Sequence, residues 1–231
     1  MSEAVVGLKQ EEAALVSRYS KLMAGLEATF QGRKVNLSQL AKHYGAADRS
    51  ERLDARQAQD RALGGAVEEL DSIFHDLVQV RHAIGQALGH ESYTTLAYQE
   101  LQRTDYGPAE VAAFRRQVAV ELVPLAAQIK NRQKEQLSLD SYFFHDEPVQ
   151  DLRGATRPNG GHDWMMEQAI RMFDEMGDDF GSFFRMLHEK SLLDLEARKG
   201  KSGGGYCTVF PVEGLPFIFA NFNGSNGDVR V

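Results

Sequence analysis

One cysteine, Cys207, occurs in the 231 residues. That excludes an internal disulfide framework and suits a reducing compartment. No proline precedes Pro108, so nothing in the first hundred or so positions breaks a helix by ring geometry. No apolar run approaches the span of a membrane helix, and no membrane partner is expected. The amino-terminal Met-Ser-Glu-Ala-Val-Val-Gly-Leu-Lys lacks the basic and apolar regions of a secretory signal. Basic charge is also short: 26 Lys and Arg stand against 33 Asp and Glu, a net charge of −7. The basic residues are scattered rather than striped, which argues against a nucleic-acid surface. These absences together point to the cytoplasm.

Apolar residues make up 42% of the chain, enough for a sizeable core. Glu11 to Phe30 reads as a first helix, ending near Gln31-Gly32. Asn36-Leu37-Ser38-Gln39-Leu40 reads as a turn into a short helix that stops at Gly45. Asp48-Arg49-Ser50 offers caps for a long helix to Leu88, kinked or divided at Gly64-Gly65. Within it Val67, Leu70, Phe74, Leu77, Ile84 and Leu88 recur at helical spacing, with Ile73 and Val80 widening the stripe. Ser92 to Gln102 makes a shorter helix. Pro108 opens another, with Val111, Phe114, Val118, Leu122, Leu125 and Ile129 on one face and a kink expected at Pro124. Asp146-Glu147-Pro148 and Arg157-Pro158-Asn159-Gly160-Gly161 are loop chemistry. Asp163 and Asp178 or Asp179 offer caps for two further helices.

The final stretch differs. Gly203, Gly204 and Gly205 permit left-handed backbone or a close approach. Two short apolar runs follow, Tyr206–Val212 and Pro216–Phe222, and read as a β-hairpin or two strands. Phe217, Ile218, Phe219 and Ala220 run without a polar break, as in a strand covered on both faces. Asn223-Gly224-Ser225-Asn226-Gly227 makes a turn, and Asp228 stands where an N-cap belongs. The fold expected is mostly α, with this β element at the carboxyl-terminal end. Residues 1–195 would form a helical body, and 196–231 the glycine-rich loop and strands.

Gly-Gly-Gly-Tyr-Cys-Thr, then Pro-Phe-Ile-Phe-Ala-Asn-Phe-Asn-Gly and Gly-Asp-Val, resembles the segment ahead of the active-site helix in the oligoendopeptidase F family. These are zinc metallopeptidases related to thimet oligopeptidase. The resemblance extends back through Leu192-Leu193-Asp194-Leu195, Asp146-Glu147-Pro148, Arg103-Thr104-Asp105-Tyr106 and Glu69-Leu70-Asp71-Ser72-Ile73-Phe74 to Asn36-Leu37-Ser38-Gln39-Leu40. It implies a zincin-like helical body that flanks a channel. In the family the next helix carries His-Glu-x-x-His, and that motif is missing here. The resemblance therefore implies a fragment of a zinc-dependent oligopeptidase, itself without zinc ligands and inactive. Its partners would be an oligopeptide substrate and the remainder of the peptidase chain. It also implies a substrate-pairing edge strand at Phe219, Ala220, Asn221 and Phe222, with the loop Gly203, Gly204, Gly205 and Tyr206 beside the cleft. The plainer reading of the same residues is a buried strand and a hinge.

Other patterns carry less. The seven histidines are His43, His75, His82, His90, His145, His162 and His188, and none has another histidine four residues on. His90-Glu91 and His188-Glu189 begin the zinc motif, but Thr94 and Leu192 hold its second histidine position. Gly200-Lys201-Ser202 matches the end of a phosphate-binding loop, but Leu195 replaces the required earlier glycine and glycines, not a helix, follow. Cys207 has no nearby histidine, and a small thiol is more often packed than nucleophilic. No carboxylate pair stands out as an acid/base couple. The expectation is thus no catalytic residue and no metal ligand in this chain. A non-catalytic helical binding or scaffold module is the alternative. Truncation ahead of a central helix would also leave apolar surface near Phe217, Phe219 and Phe222, inviting association.

Overall fold

The structure is a computed structural model and describes residues 3–153 and 157–229. Helix α1 (Glu3–Gly25) gives way to strands β1 (Glu27–Phe30) and β2 (Arg33–Asn36), paired antiparallel with Glu27 opposite Asn36 and Phe30 opposite Arg33. The helix expected to continue to Phe30 thus ends five residues sooner, and a hairpin takes its place. Gln31 at φ 49° and Gly32 at φ 74° give the tight turn whose twist suits a hairpin. Ala28 and Phe30 alternate inward along β1.

Helix α2 (Leu37–Ala41) opens on a reciprocal cap: the Asn36 side chain accepts from Gln39 N–H at 2.7 Å, and Gln39 Oε1 accepts from Asn36 N–H at 3.1 Å. Asp48 caps α3 (Arg49–Gly64), accepting from Ser50 N–H at 2.8 Å. The glycine pair divides the expected long helix outright, and α4 (Val67–Ala87) is separate. Helix α5 (Tyr93–Glu100) comes next, then α6 (Pro108–Gln117), a π-helical turn at Val118–Leu122, and α7 (Val123–Gln136). The widened turn lies just ahead of Pro124, whose ring crowds the carbonyl four residues earlier. Helices α8 (His162–Met176) and α9 (Asp178–Glu189) meet at Gly177. Their caps are Gly161 and Gly177 rather than aspartates. Asp163, Asp178 and Asp179 instead lie in the first turns, where negative charge suits the helix dipole. The remaining strands are β3 (Leu193–Glu196), β4 (Tyr206–Phe210) and β5 (Leu215–Phe222).

The chain divides into two compact units. One comprises Met1–Leu22 and Gly64–Tyr142. Its core is Val80, Ile84 and Leu96, with Leu8, Leu15 and Tyr93 packed against them. The buried stripe of α4 thus runs through Ile73, Val80 and Ile84, while Phe74, expected within it, is 71% exposed. Gly85 permits the crossing of α4 and α5, since a Cβ there would sit 2.9 Å from Tyr93 N. Glu12 accepts from Lys9 at 3.3 Å and Arg81 at 2.7 Å, while Lys9 also reaches Glu100 at 3.1 Å, so three helices are tied together. The stripe expected on the helix after Pro108 is not buried. Phe114, Leu122, Leu125 and Ile129 are exposed, and none of α6, the π turn and α7 has a buried residue.

The second unit comprises Met23–Leu63 and Phe143–Val231. Ala28, Phe30, Leu40, Ala55 and Ala58 pack the first hairpin on α3. A buried ionic knot holds the same helix to the turn Phe144–Asp146. Asp146 is fully buried and accepts from Arg49 Nε at 3.0 Å, Arg49 Nη2 at 2.9 Å, Arg52 Nη2 at 2.9 Å and Phe143 N–H at 3.0 Å. Arg52, itself buried, also donates to the carbonyls of Ala46, Ala47 and His145. The acidic pair before Pro148 is indeed a structured turn. A second core, Met166, Leu195 and Ala220 with Phe184, Leu193, Ile218 and Phe222, seats α8 and α9 under β3 and β5.

Candidate functional site

Strands β3, β5 and β4 form one sheet in that order, with β3 parallel and β4 antiparallel to β5. The strand bearing Phe219, Ala220, Asn221 and Phe222 is therefore the middle one, not the expected edge. Asp194 lies opposite Phe219 and Glu196 opposite Phe222 on one side; Tyr206 lies opposite Phe219 on the other. Ala220, Asn221 and Phe222 extend past the start of β4. Phe217, Phe219 and Phe222 are half-buried rather than laid bare.

Strand β4 is the edge, and every residue in it is exposed. Which backbone groups it offers is set by β5. Ile218 N–H donates to Leu192 O at 2.9 Å, toward β3, and Pro216 has no N–H to give. Both then occupy non-hydrogen-bonded positions of the β4–β5 ladder, where the opposite residues also turn their backbone outward. Those opposite residues are Cys207 and Val209. Their N–H and C=O groups face the open side, which no described strand occupies. On one face of the sheet the rings of Tyr206 and Phe219 stack at 5.0 Å, with Phe217 and Phe210 beside them.

The glycine-rich loop is held from both flanks. Lys201, whose side chain is 2% exposed, donates to Asp194 O at 3.0 Å, Asp194 Oδ1 at 2.9 Å and Glu196 O at 2.8 Å. Its ammonium also stands 4.5 Å from the centroid of the Phe219 ring. The Arg198 guanidinium, then Lys201, holds the Asp194 carboxyl down to about 2. From β5, Asn221 Nδ2 donates to Ser202 O and Gly204 O, each at 2.8 Å. The Asn221 Oδ1 is buried with no partner among the described residues. Asp228 closes the next turn, its carboxylate accepting from the N–H groups of Asn223, Gly224 and Ser225. Any helix that it would cap lies outside the described residues.

The three glycines have different reasons to be glycine. Gly204 sits at φ +86°, and a Cβ on Gly205 would lie 3.1 Å from Phe219 O. Around Gly203 there is open space. Gly205→Ala is therefore expected to destabilise the second unit by about 1–3 kcal/mol, because β5 is fixed on both sides and cannot give way. Gly204→Ala should cost about 1–2 kcal/mol through its left-handed backbone, and Gly203→Ala less than about 0.5 kcal/mol. Denaturant unfolding of the three variants checks this order.

Among the described residues no group of three or more His, Cys, Asp or Glu side chains is placed to hold a metal ion. Also among the described residues, no helix is long and apolar enough to cross a membrane. Sequence reasoning passed over Lys201 except as part of a failed phosphate motif, and it placed the edge on the wrong strand. Only the tertiary pairing reveals either.

No family model and no curated protein matches the chain. Solved structures do, over its full length. A protein described as an oligoendopeptidase F is 38% identical with a TM-score of 0.94, and the chain covers 41% of it. PZ peptidase A, solved with an inhibitor, is 38% identical with a TM-score of 0.93, again with 41% covered. A Bacillus anthracis protein described as an oligoendopeptidase F is 37% identical with a TM-score of 0.92, with 42% covered. The chain spans about two-fifths of the length of these relatives.

Proposed function

We propose, from the premise that this chain belongs to the oligoendopeptidase F family, that it supplies the substrate-holding wall of a zinc-dependent oligopeptidase. The observation that carries this is the likeness, at 37–38% identity overall and covering the whole chain, to peptidases more than twice its length. The ligand is an extended oligopeptide, and β4 is the strand that receives it. An extended peptide can add to an open edge through backbone hydrogen bonds that need no particular side chains. Cys207 and Val209 offer such groups. Gly203, Gly204, Gly205 and Tyr206 line the approach to that edge. Phe219, Ala220, Asn221 and Phe222 act behind it, as the strand and side chain on which β4 and the loop rest.

The zinc of the complete enzyme would polarise the peptide carbonyl and activate water. The ligands for it belong to the rest of a family-length peptidase, so these 231 residues bind peptide without cutting it.

The lone exposed thiol allows a direct test. A fluorophore on Cys207 should report saturable binding of a short soluble peptide in which threonine and valine alternate between two terminal lysines. A quenched fluorogenic oligopeptide, with zinc added, should show no turnover. A flat titration would overturn the pairing, and turnover would overturn the division of labour.

A further inference from the structure

We infer that Lys201 and Asn221 are positioning residues that lock the glycine-rich loop beside the β4 edge in the conformation a bound peptide requires. The inference rests on the peptide-binding reading above and adds to it the device that sets the site's shape.

Glycine-rich backbone is ordinarily free, because it lacks the side chains that restrict it. Here that freedom is removed from outside. An ammonium has three donors, and those of Lys201 go to Asp194 and Glu196 of β3. Burying a lysine is costly unless it is fully partnered, so its place at the root of the loop resists displacement. Asn221 works from β5, past the start of β4. Its two short bonds to Ser202 O and Gly204 O fix which way the carboxamide points. That orientation leaves Oδ1 with no partner among the described residues. The loop is thus a fixed wall and not a moving flap. Gly205, tight against Phe219 O, passes its placement directly to Tyr206, the first residue of β4.

The test uses the 231-residue chain with Lys201→Met, Lys201→Arg and Asn221→Ala made separately. Two quantities are read: hydrogen exchange at the Tyr206 amide, which pairs with Phe219 where the loop enters β4, and calorimetric affinity for the alternating threonine–valine peptide. Lys201→Met and Asn221→Ala should each speed that exchange by about tenfold or more and weaken the peptide by a similar factor. Exchange in α8 and α9 should stay at the parent rate. Lys201→Arg keeps the charge and should recover most of the protection, whereas a merely space-filling lysine would be replaced as well by methionine. Unchanged exchange in both variants overturns the lock. Faster exchange with unchanged affinity overturns its role in positioning. A parent chain that binds no peptide overturns the reading on which this rests, and the exchange measurement then decides the anchoring by itself.

Discussion

Asp146→Ala should destabilise the second unit by about 3–5 kcal/mol, the cost of stranding a buried charge. Arg52 has 3% of its surface exposed and would lose its carboxylate partner while still held by three backbone carbonyls. Arg49 can swing toward water; Arg52 cannot. Asp146→Asn keeps the shape and part of the hydrogen bonding, so a smaller loss is expected. Denaturant unfolding followed by circular dichroism measures both, and a loss below about 1 kcal/mol for the alanine variant would refute this account of the knot.

The same knot sets an acid limit. Although burial alone would raise it, the Asp146 carboxyl is held well below its usual range by Arg49, the Phe143 N–H and Arg52. A depressed carboxyl contributes stability that is complete above its unfolded value, near 3.8, and is lost as pH falls toward the folded value. His145 acts earlier. Burial pushes its imidazole below the ordinary 6.5, so beneath that pH the unfolded chain takes up a proton that the folded site resists. Stability therefore falls with pH in both windows, first through His145 and then through Asp146. His145→Gln should flatten the first decline and leave the second.

The second large effect concerns binding. Val209→Pro should lower affinity for the alternating threonine–valine peptide by about tenfold or more, because a proline removes one outward N–H. The hairpin itself should survive, since Val209 stands opposite Pro216 where the ladder has no bond to lose. Thr208→Pro is the contrast: its backbone faces Phe217, so it should loosen the hairpin and lower the melting temperature. Equal peptide affinity in the parent and Val209→Pro would place the binding elsewhere.

Local chemistry is legible in the sequence, and pairing partners are not. Asn36 with Gln39, Asp48 with Ser50, the break at Gly64-Gly65 and Pro108 all act through neighbours a few positions away. Such short-range chemistry is written in the order of residues. The first hairpin is hidden because Gln31, not an obvious turn residue, takes the left-handed conformation. The apolar spacing of α4 has the right period and takes in the buried Ile73, Val80 and Ile84, but period alone does not separate them from Val67 and Phe74, which are exposed. Two apolar runs and a turn announce β4 and β5. That β5 is central depends on β3, Leu193–Glu196, coming from outside the hairpin to pair in parallel. Lys201 and Asp146 are unreadable for a similar reason, as partners of each lie on other elements.

Residues 108–136 form a helical stretch in which no residue is buried. It draws little support from a packed interior, and one turn of it is already widened just ahead of Pro124. On warming, such a segment opens before the packed helix α4 does, so the chain should lose helicity in two steps rather than one.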